Sequence, residues 1–531
     1  MPASAKGGAV GSSPKFALSA ARPARMPRTP RTTTSVSRAW GVADDFSEQL
    51  SPRYLGQAVA TWFCCTMEKF ERLRSVGRLE QYSTARHQAG FYLNVAVTAT
   101  YLLPESFQLS LRDSIYRACE TLIAEHAALS AIPAADDTQQ PYFVRLPQID
   151  LDRVVEFQER KISHASNAGV DEAGDLLPDL ELQTLLERQH NTPFSAPDAY
   201  WRLCVLTDST NTHSFTAAFV FHHALGDGTS GKAFHQTLLR ALGHHGAVTK
   251  SIIQSPSTPM LPNIEQIHPM PLSMWYLAKK IFHAKIYSYR NPGLWSGGKI
   301  QLEGGTQVRL VPFSKSLVTS LRAICRREQT TITTLLQVVL ARSLFANLPD
   351  RYTHLACSGA ISCRRWLPAE ITDEVMGVYV TDSEESYTRH ATMNKPTPDE
   401  GFWNEARRSR RNIIASLNRE GRDTGPNLLQ YVDDFQQELC FSKLGCERDK
   451  SYEVSNIGVL SCDDAAPDKP RIEGMVFSQC ASVVGNAIGV SVATGADGCM
   501  VLAVTWQEGV VETALIENVI GRLKAELKGL S

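Results

Sequence analysis

The sequence predicts an α/β protein of two lobes, and three observations carry that expectation. The chain has 531 residues, too many for one core of ordinary domain size. Strand-like segments alternate with amphipathic helical segments in both halves. Successive strands are often separated only by short turn-forming stretches, so hairpins are expected to supply much of the sheet pairing.

Residues 1–43 carry Arg, Lys, Ser, Thr and Pro with no acid before Asp44, a composition that cannot form a core. A dispensable basic tail over 1–45 is expected. A mitochondrial presequence is the alternative, and prolines at 23, 27 and 30 interrupt the amphipathic helix it would need. From Gly90 to Tyr101 aromatic and β-branched residues predict a strand that Pro104 closes. Phe107, Leu111, Ile115, Cys119, Leu122 and Ile123 recur at three- and four-residue steps, predicting a helix over 106–129. A short strand over 141–146 and a helix over 179–190 follow. Trp201 to Leu206 and Ser214 to Phe221 read as a hairpin across the turn formers 207–212. The second of these strands runs into His222-His223-Ala224-Leu225-Gly226-Asp227-Gly228, and Phe234, Leu238, Leu239 and Leu242 then mark a helix face.

Proline-rich, aperiodic sequence over 251–271 and the loop chemistry of 291–298 place a boundary near 290. The lobes are therefore expected over 46–290, carrying the double-histidine turn, and 291–531. Between the two loops, Leu272 to Tyr287 is a basic amphipathic helix with Trp275, Leu277, Ile281 and Phe282 beside Lys279, Lys280 and Lys285. A covering helix is the simpler expectation, and contact with a membrane or lipid-droplet surface is the alternative. In the second half a strand over 306–311, helices over 314–326, 331–344 and 402–417, and a hairpin across Thr494-Gly495-Ala496-Asp497-Gly498 are predicted. Leu515, Val519, Leu523 and Leu527 predict a last helix.

Apolar residues make up 43% and charged residues 21%, with a net charge of −1, which argues against a nucleic-acid-binding surface and for a small-molecule partner. Twelve cysteines show no C-x-x-C pair or zinc-ligand spacing, so no metal is expected and the thiols read as reduced. No run of about 18 apolar residues is present, and a cytoplasmic monomer is the expectation.

The chemistry concentrates at 222–228. Adjacent residues on an extended segment point to opposite faces, so only one of His222 and His223 can enter a site. A base that takes a proton from a hydroxyl needs a fixed ring, and a turn leaving a strand supplies it. Gly226 and Gly228 allow a tight backbone path near a ligand, and Asp227 can cap the following helix while ordering the loop. A packed core histidine and a metal ligand set are the alternatives; an adjacent pair converges poorly on one ion.

This segment resembles the HHxxxDG signature of the chloramphenicol-acetyltransferase-like superfamily, which includes condensation domains, plant acyltransferases and fungal alcohol acetyltransferases. Gly77-Arg78-Leu79-Glu80-Gln81-Tyr82-Ser83-Thr84-Ala85-Arg86-His87, running into Phe91-Tyr92-Leu93-Asn94-Val95, is similar to the opening motif of the fungal alcohol acetyltransferase family. Ser455-Asn456-Ile457-Gly458, Phe477-Ser478-Gln479 and Val504-Thr505-Trp506-Gln507-Glu508-Gly509 extend the resemblance over residues 75–528. It implies two sandwich-like lobes, each a mixed, largely antiparallel sheet with helices, and a tunnel between them. It also implies no permanently bound cofactor, with acetyl-CoA or another acyl-CoA as co-substrate and a small hydrophobic alcohol as acceptor.

Carried onto this chain, the resemblance makes His223 the general base and Asp227 the loop-ordering carboxylate, with His222 and Gly228 completing the signature. Ser455 and Asn456 are candidate oxyanion donors, with a turn-shaping role as the alternative. Condensation domains carry an arginine for the motif aspartate where this chain has Glu125, so the partner of Asp227 is sought in Arg86 or Arg364. For Arg364 a surface charge or a substrate contact are the alternatives. The DFGWG motif of plant relatives is absent. Acyl transfer to an alcohol is thus expected; an amine acceptor, or a catalytically silent binding protein of the same fold, are the other readings.

Overall fold

The computed structural model describes residues 69–161, 169–170, 174–243, 250–282, 290–393, 398–460 and 468–530. The basic tail over 1–45 lies outside them. The first sheet grows from the predicted hairpin: Trp201–Thr207 pairs antiparallel with Ser214–Phe221, and Val95–Leu102 pairs antiparallel with the other side of Ser214–Phe221. Val155–Glu159 joins in parallel to Trp201–Thr207. Ser214–Phe221 is buried at every position, as a central strand covered on both faces requires. Helices Leu111–Glu125 and Gly228–Leu242 pack on each other, and the second also packs on Val95–Leu102.

The fifth strand of this sheet is Arg471–Gln479, from the far end of the chain, which pairs antiparallel with the free side of Val95–Leu102. The second sheet has six strands in the order Thr306–Phe313, Met500–Gln507, Asn486–Thr494, Lys450–Val459, His354–Ser362 and Val380–Thr388. Its pairings are antiparallel except that Lys450–Val459 runs parallel to both neighbours. Helix Ile332–Asn347 is apolar on every side and lies between Lys315–Arg327, Pro398–Leu417 and Thr513–Leu530. A helix that is hydrophobic all round has to be buried, and this one is.

Each sheet has its own apolar core, one gathered around Phe219, Phe221 and Phe234, the other around Leu335, Leu340 and Trp506. Each fully buried Leu or Phe contributes about 1.5–3 kcal/mol, so either core sustains a lobe. The fold is therefore α/β with two lobes and mixed sheets.

Three predicted elements differ in extent. The first strand begins at Val95 rather than Gly90, because Gly90 is left-handed (φ 79°) and Asn94 turns its side chain onto the carbonyls of Gln189 and Thr192. The helix predicted over 106–129 starts after its Ser110 cap and ends at Glu125, passing into a 3-10 turn over Ala127–Ser130. The amphipathic segment forms a helix over Met274–Ile281, with Ser273 capping it and bound to Asp423. None of the residues of this helix is buried, and Met274 and Trp275 are each 80% exposed; the remainder of the predicted segment, 283–287, lies outside the described residues. Among the described residues no helix is long and apolar enough to cross a membrane.

Candidate active site

The double-histidine segment occupies the strand-to-helix turn that its sequence predicts. Strand Ser214–Phe221 ends where the His222 amide donates to the Tyr200 carbonyl (2.9 Å), and the Leu225 amide then closes a turn onto the His222 carbonyl (2.9 Å). Helix Gly228–Leu242 starts from Asp227, whose Oδ1 accepts from the Ser230 amide (3.0 Å) and hydroxyl (3.1 Å). Both glycines sit where protein atoms leave no room for a side chain. A Cβ on Gly226 would meet Ser230 at 2.6 Å, and one on Gly228 would meet Ile457 of the second lobe at 2.5 Å.

The two histidines separate as neighbours on an extended chain do. His222 is buried, its Nδ1 accepts from the Ala224 amide (3.0 Å), and its ring packs edge-on against His87 at 4.6 Å. Burial, then His87, His223 and Arg86, hold it far below the usual histidine range. His223 is half-buried, with Nδ1 enclosed and without a partner among the described residues. Burial lowers its pKa first and the Arg86 charge second, against opposing contributions from its own backbone, Asp227 and Gly226. The result is a neutral imidazole at neutral pH, the form that accepts a proton.

Asp227 is tied to the second lobe. Arg364 Nη1 donates to its Oδ2 (2.7 Å) and Nη2 to its Oδ1 (3.1 Å), a bidentate pair, and the Tyr379 amide adds a bond to Oδ2 (3.1 Å). Burial pushes the Asp227 carboxyl up, but the Arg364 charge and hydrogen bonds outweigh it, and the net shift is downward. Arg364 is no surface charge: it is buried, and it also reaches the carbonyls of Thr372, Val375 and Gly377. Arg86 does not meet Asp227. Its guanidinium lies 4.0 Å from the Tyr82 ring centroid and 4.4 Å from that of Tyr92, with Nε enclosed and unpartnered. Tyr82 and Arg86 stand four residues apart on helix Arg78–Gln88, a spacing that places them on one face. The far side of this stack approaches the base, because the Tyr92 ring is 5.8 Å from that of His223.

Ser455 and Asn456 part in the same way as the histidines. On strand Lys450–Val459, Tyr452 and Val454 enter the core of the second lobe, and Asn456 shares their face, its amide bonded to Thr333 (3.1 Å) and to the Gly458 amide (2.8 Å). Glu453, Ser455 and Ile457 face the first lobe. Ile457 abuts Gly228, and Glu453 interacts with Arg86, so Ser455, between them on the strand, shares the face they present to the first lobe. Asn456 is turned away from that cleft.

The Arg86 stack borders a cavity of about 460 Å³, walled by Leu79 and Tyr82 of the first lobe and by Ser358, Ala360, Asp382 and Glu453 of the second; neither His223 nor Ser455 lines it. The sequence did not single out Tyr82, Tyr92, Tyr379, Asp382 or Glu453; only the Tyr82–Arg86 spacing offered a signal. Among the described residues no group of three or more His, Cys, Asp or Glu side chains is placed to hold a metal.

The alcohol acetyltransferase family profile matches residues 75–526. The probable alcohol acetyltransferase crmB of Aspergillus fumigatus is 34% identical over 468 residues, covering 84% of this chain and 97% of that protein. The probable alcohol acetyltransferase FCK4 of Fusarium pseudograminearum is 24% identical, covering 86% and 95%. Among solved structures, the trichothecene 15-O-acetyltransferase TRI3 from Fusarium sporotrichioides aligns with a TM-score of 0.66 at 12% identity, covering 86% of this chain and 95% of that one. The condensation domain of the monacolin K polyketide synthase MokA aligns at 0.55 and 12% identity, covering 87% and 100%. Those two likenesses show the fold, the two-lobed chloramphenicol-acetyltransferase-like architecture. With a family profile spanning most of its length and a relative one-third identical along it, this chain belongs to the alcohol acetyltransferase family and is an acyltransferase.

Proposed function

We propose that the protein transfers an acetyl group from acetyl-CoA to the hydroxyl of a small or medium hydrophobic alcohol, with His223 as general base. The observation that carries this reading is the state of His223: a neutral, half-buried imidazole on a strand-to-helix turn, in a chain of the alcohol acetyltransferase family. Nδ1 is the enclosed nitrogen, which leaves Nε2 to take the hydroxyl proton. The alkoxide oxygen then bonds to the thioester carbonyl carbon, the tetrahedral oxyanion accepts a hydrogen bond from the Ser455 hydroxyl, and the carbon–sulfur bond breaks. The imidazolium returns its proton to the departing thiolate, so the base is regenerated and no acyl-enzyme forms.

Asp227 acts through structure. Its bonds to Ser230, Tyr379 and Arg364 hold the loop that presents His223. The lobes divide near residue 290, with Arg471–Gln479 exchanged into the first sheet.

The test is His223→Ala in purified protein, with thiol release from acetyl-CoA followed against a panel of alcohols. A loss of about 10²–10⁴-fold in kcat is expected, with acetyl-CoA binding retained. Unchanged turnover with the best alcohol would overturn the assignment.

A further inference from the structure

On the basis of the acyl-transfer reading above, we propose that the cavity bordering the Arg86 stack, which reaches His223 across the Tyr92 ring, receives the acceptor, and that Asp382 selects alcohols carrying a cationic nitrogen at the end remote from the reacting hydroxyl. Strand register puts two carboxylates on one wall. Glu453 stands opposite Ser358, and Asp382 opposite Ala360, on the two strands flanking His354–Ser362. Ser358 and Ala360 are two residues apart and share a face, so Glu453 and Asp382 project to the same side, their backbones about 12 Å apart from strand spacing and rise. All four residues line the cavity, whose remaining wall combines apolar side chains such as Leu79, Val380 and Leu429 with the charged Lys443, Glu447, Arg448 and Asp449. Its volume of about 460 Å³ suits a ligand of modest size.

The two carboxylates differ in how they are satisfied. Glu453 has the Arg86 charge and a hydrogen bond from Gln479. Asp382 has one amide, that of Gly425, on Oδ1 (3.1 Å), and no ion pair among the described residues. Lys450, the base nearest in charge, holds Glu384 instead at 2.6 Å. Burial and Glu384 both push the Asp382 carboxyl up, the signature of a charge that lacks a counterion.

The cavity wall carries four carboxylates, Asp382, Glu447, Asp449 and Glu453, against two cations, Lys443 and Arg448, and this balance disfavours a polyanionic nucleotide, so the chamber suits the acceptor rather than CoA. A ligand ammonium supplies the missing charge. It also settles which atom is acylated: a nitrogen kept protonated by Asp382 has no lone pair to attack the thioester, while the hydroxyl at the other end gives its proton to His223.

The experiment compares 8-amino-1-octanol with 1-nonanol, equal in heavy atoms, using the full chain and acetyl-CoA. Wild type is expected to favour the amino alcohol in kcat/KM by about ten- to hundredfold, the range of a charge-assisted hydrogen bond, and to yield the O-acetyl product by mass spectrometry. In Asp382→Asn the ratio of the two kcat/KM values should fall to about one, with acetyl-CoA binding by calorimetry as the check of folding. If wild type turns over both alcohols without preference, acylates nitrogen, or keeps its preference in Asp382→Asn, this assignment is wrong and acyl transfer to alcohols still stands. Absence of CoA release with either probe and with the wider alcohol panel overturns both.

Discussion

Arg364→Met tests whether the link between the catalytic loop and the second lobe holds the loop in place. The side chains of Arg364 and Asp227 are only 4% and 2% exposed, so neither charge can be rescued by water when its partner is lost. Removing the arginine breaks the two bonds to Asp227 and those to the carbonyls of Thr372, Val375 and Gly377, while the carboxylate keeps the Ser230 and Tyr379 amides. Breaking a buried pair by removing one partner costs about 3–5 kcal/mol, which is roughly two to three and a half orders of magnitude in the folded-to-unfolded ratio. Urea unfolding at pH 7 measures it. The double variant Asp227→Asn with Arg364→Met should recover part of the loss, because no uncompensated charge then remains. The sign with pH follows from the downward shift of Asp227. Its folded value lies below the ordinary 3.8, so the stability it contributes is complete above that value and disappears as pH falls through the folded value; no change is expected between pH 5 and 8. A cost for Arg364→Met below about 1 kcal/mol, or a double variant no more stable than the single one, would refute the clamp.

Three further outcomes follow from the cleft. Arg86 is the second cause, after burial, of the low His223 pKa, so Arg86→Gln should move the acid limb of the kcat/KM profile to higher pH, and a limb that stays in place would exclude this influence. Ser455→Ala should lower kcat by about 10²–10³-fold as an oxyanion donor is lost. Asn456→Ala should instead cost about 1 kcal/mol of stability, since its amide is bound to Thr333 and Gly458. Similar losses of kcat from the two would reverse the assignment of faces.

Local chemistry made the first lobe legible. The strand-like run over 214–221, apolar without a break from Ala217 to Phe221, the turn formers at 207–212 and the small residues after His223 fixed the hairpin and the strand-to-helix turn, because each signal acts over a few residues. The wall of the cleft was hidden for the opposite reason. Strand Val380–Thr388 buries Thr381, Ser383, Glu385 and Tyr387, so its inward face carries polar groups and the alternation that marks a half-buried strand is absent. Glu385 is tolerated there because Arg408, on a helix, reaches it at 2.8 Å. The Asp227–Arg364 pair spans 137 residues, and nothing in the neighbourhood of either residue announces the other. Arginine is ordinarily found at the surface, so residue type alone leaves a surface charge or a substrate contact open for Arg364, and only the resemblance points to it, with Arg86, as a partner for Asp227. Gly228 is explained by Ile457, which is still more distant in sequence.

The placement of Arg471–Gln479 in the first sheet has a consequence for how the chain is made. While a ribosome works through the intervening sequence, Val95–Leu102 shows a bare row of amides and carbonyls, and at 5–20 residues per second that interval lasts on the order of tens of seconds. An unguarded edge of this kind invites pairing with a neighbouring nascent chain, so premature termination anywhere before 471 leaves a sticky product instead of a smaller working enzyme. The halves are also fastened together topologically: neither can be expressed as an independent module without lending or borrowing that one segment.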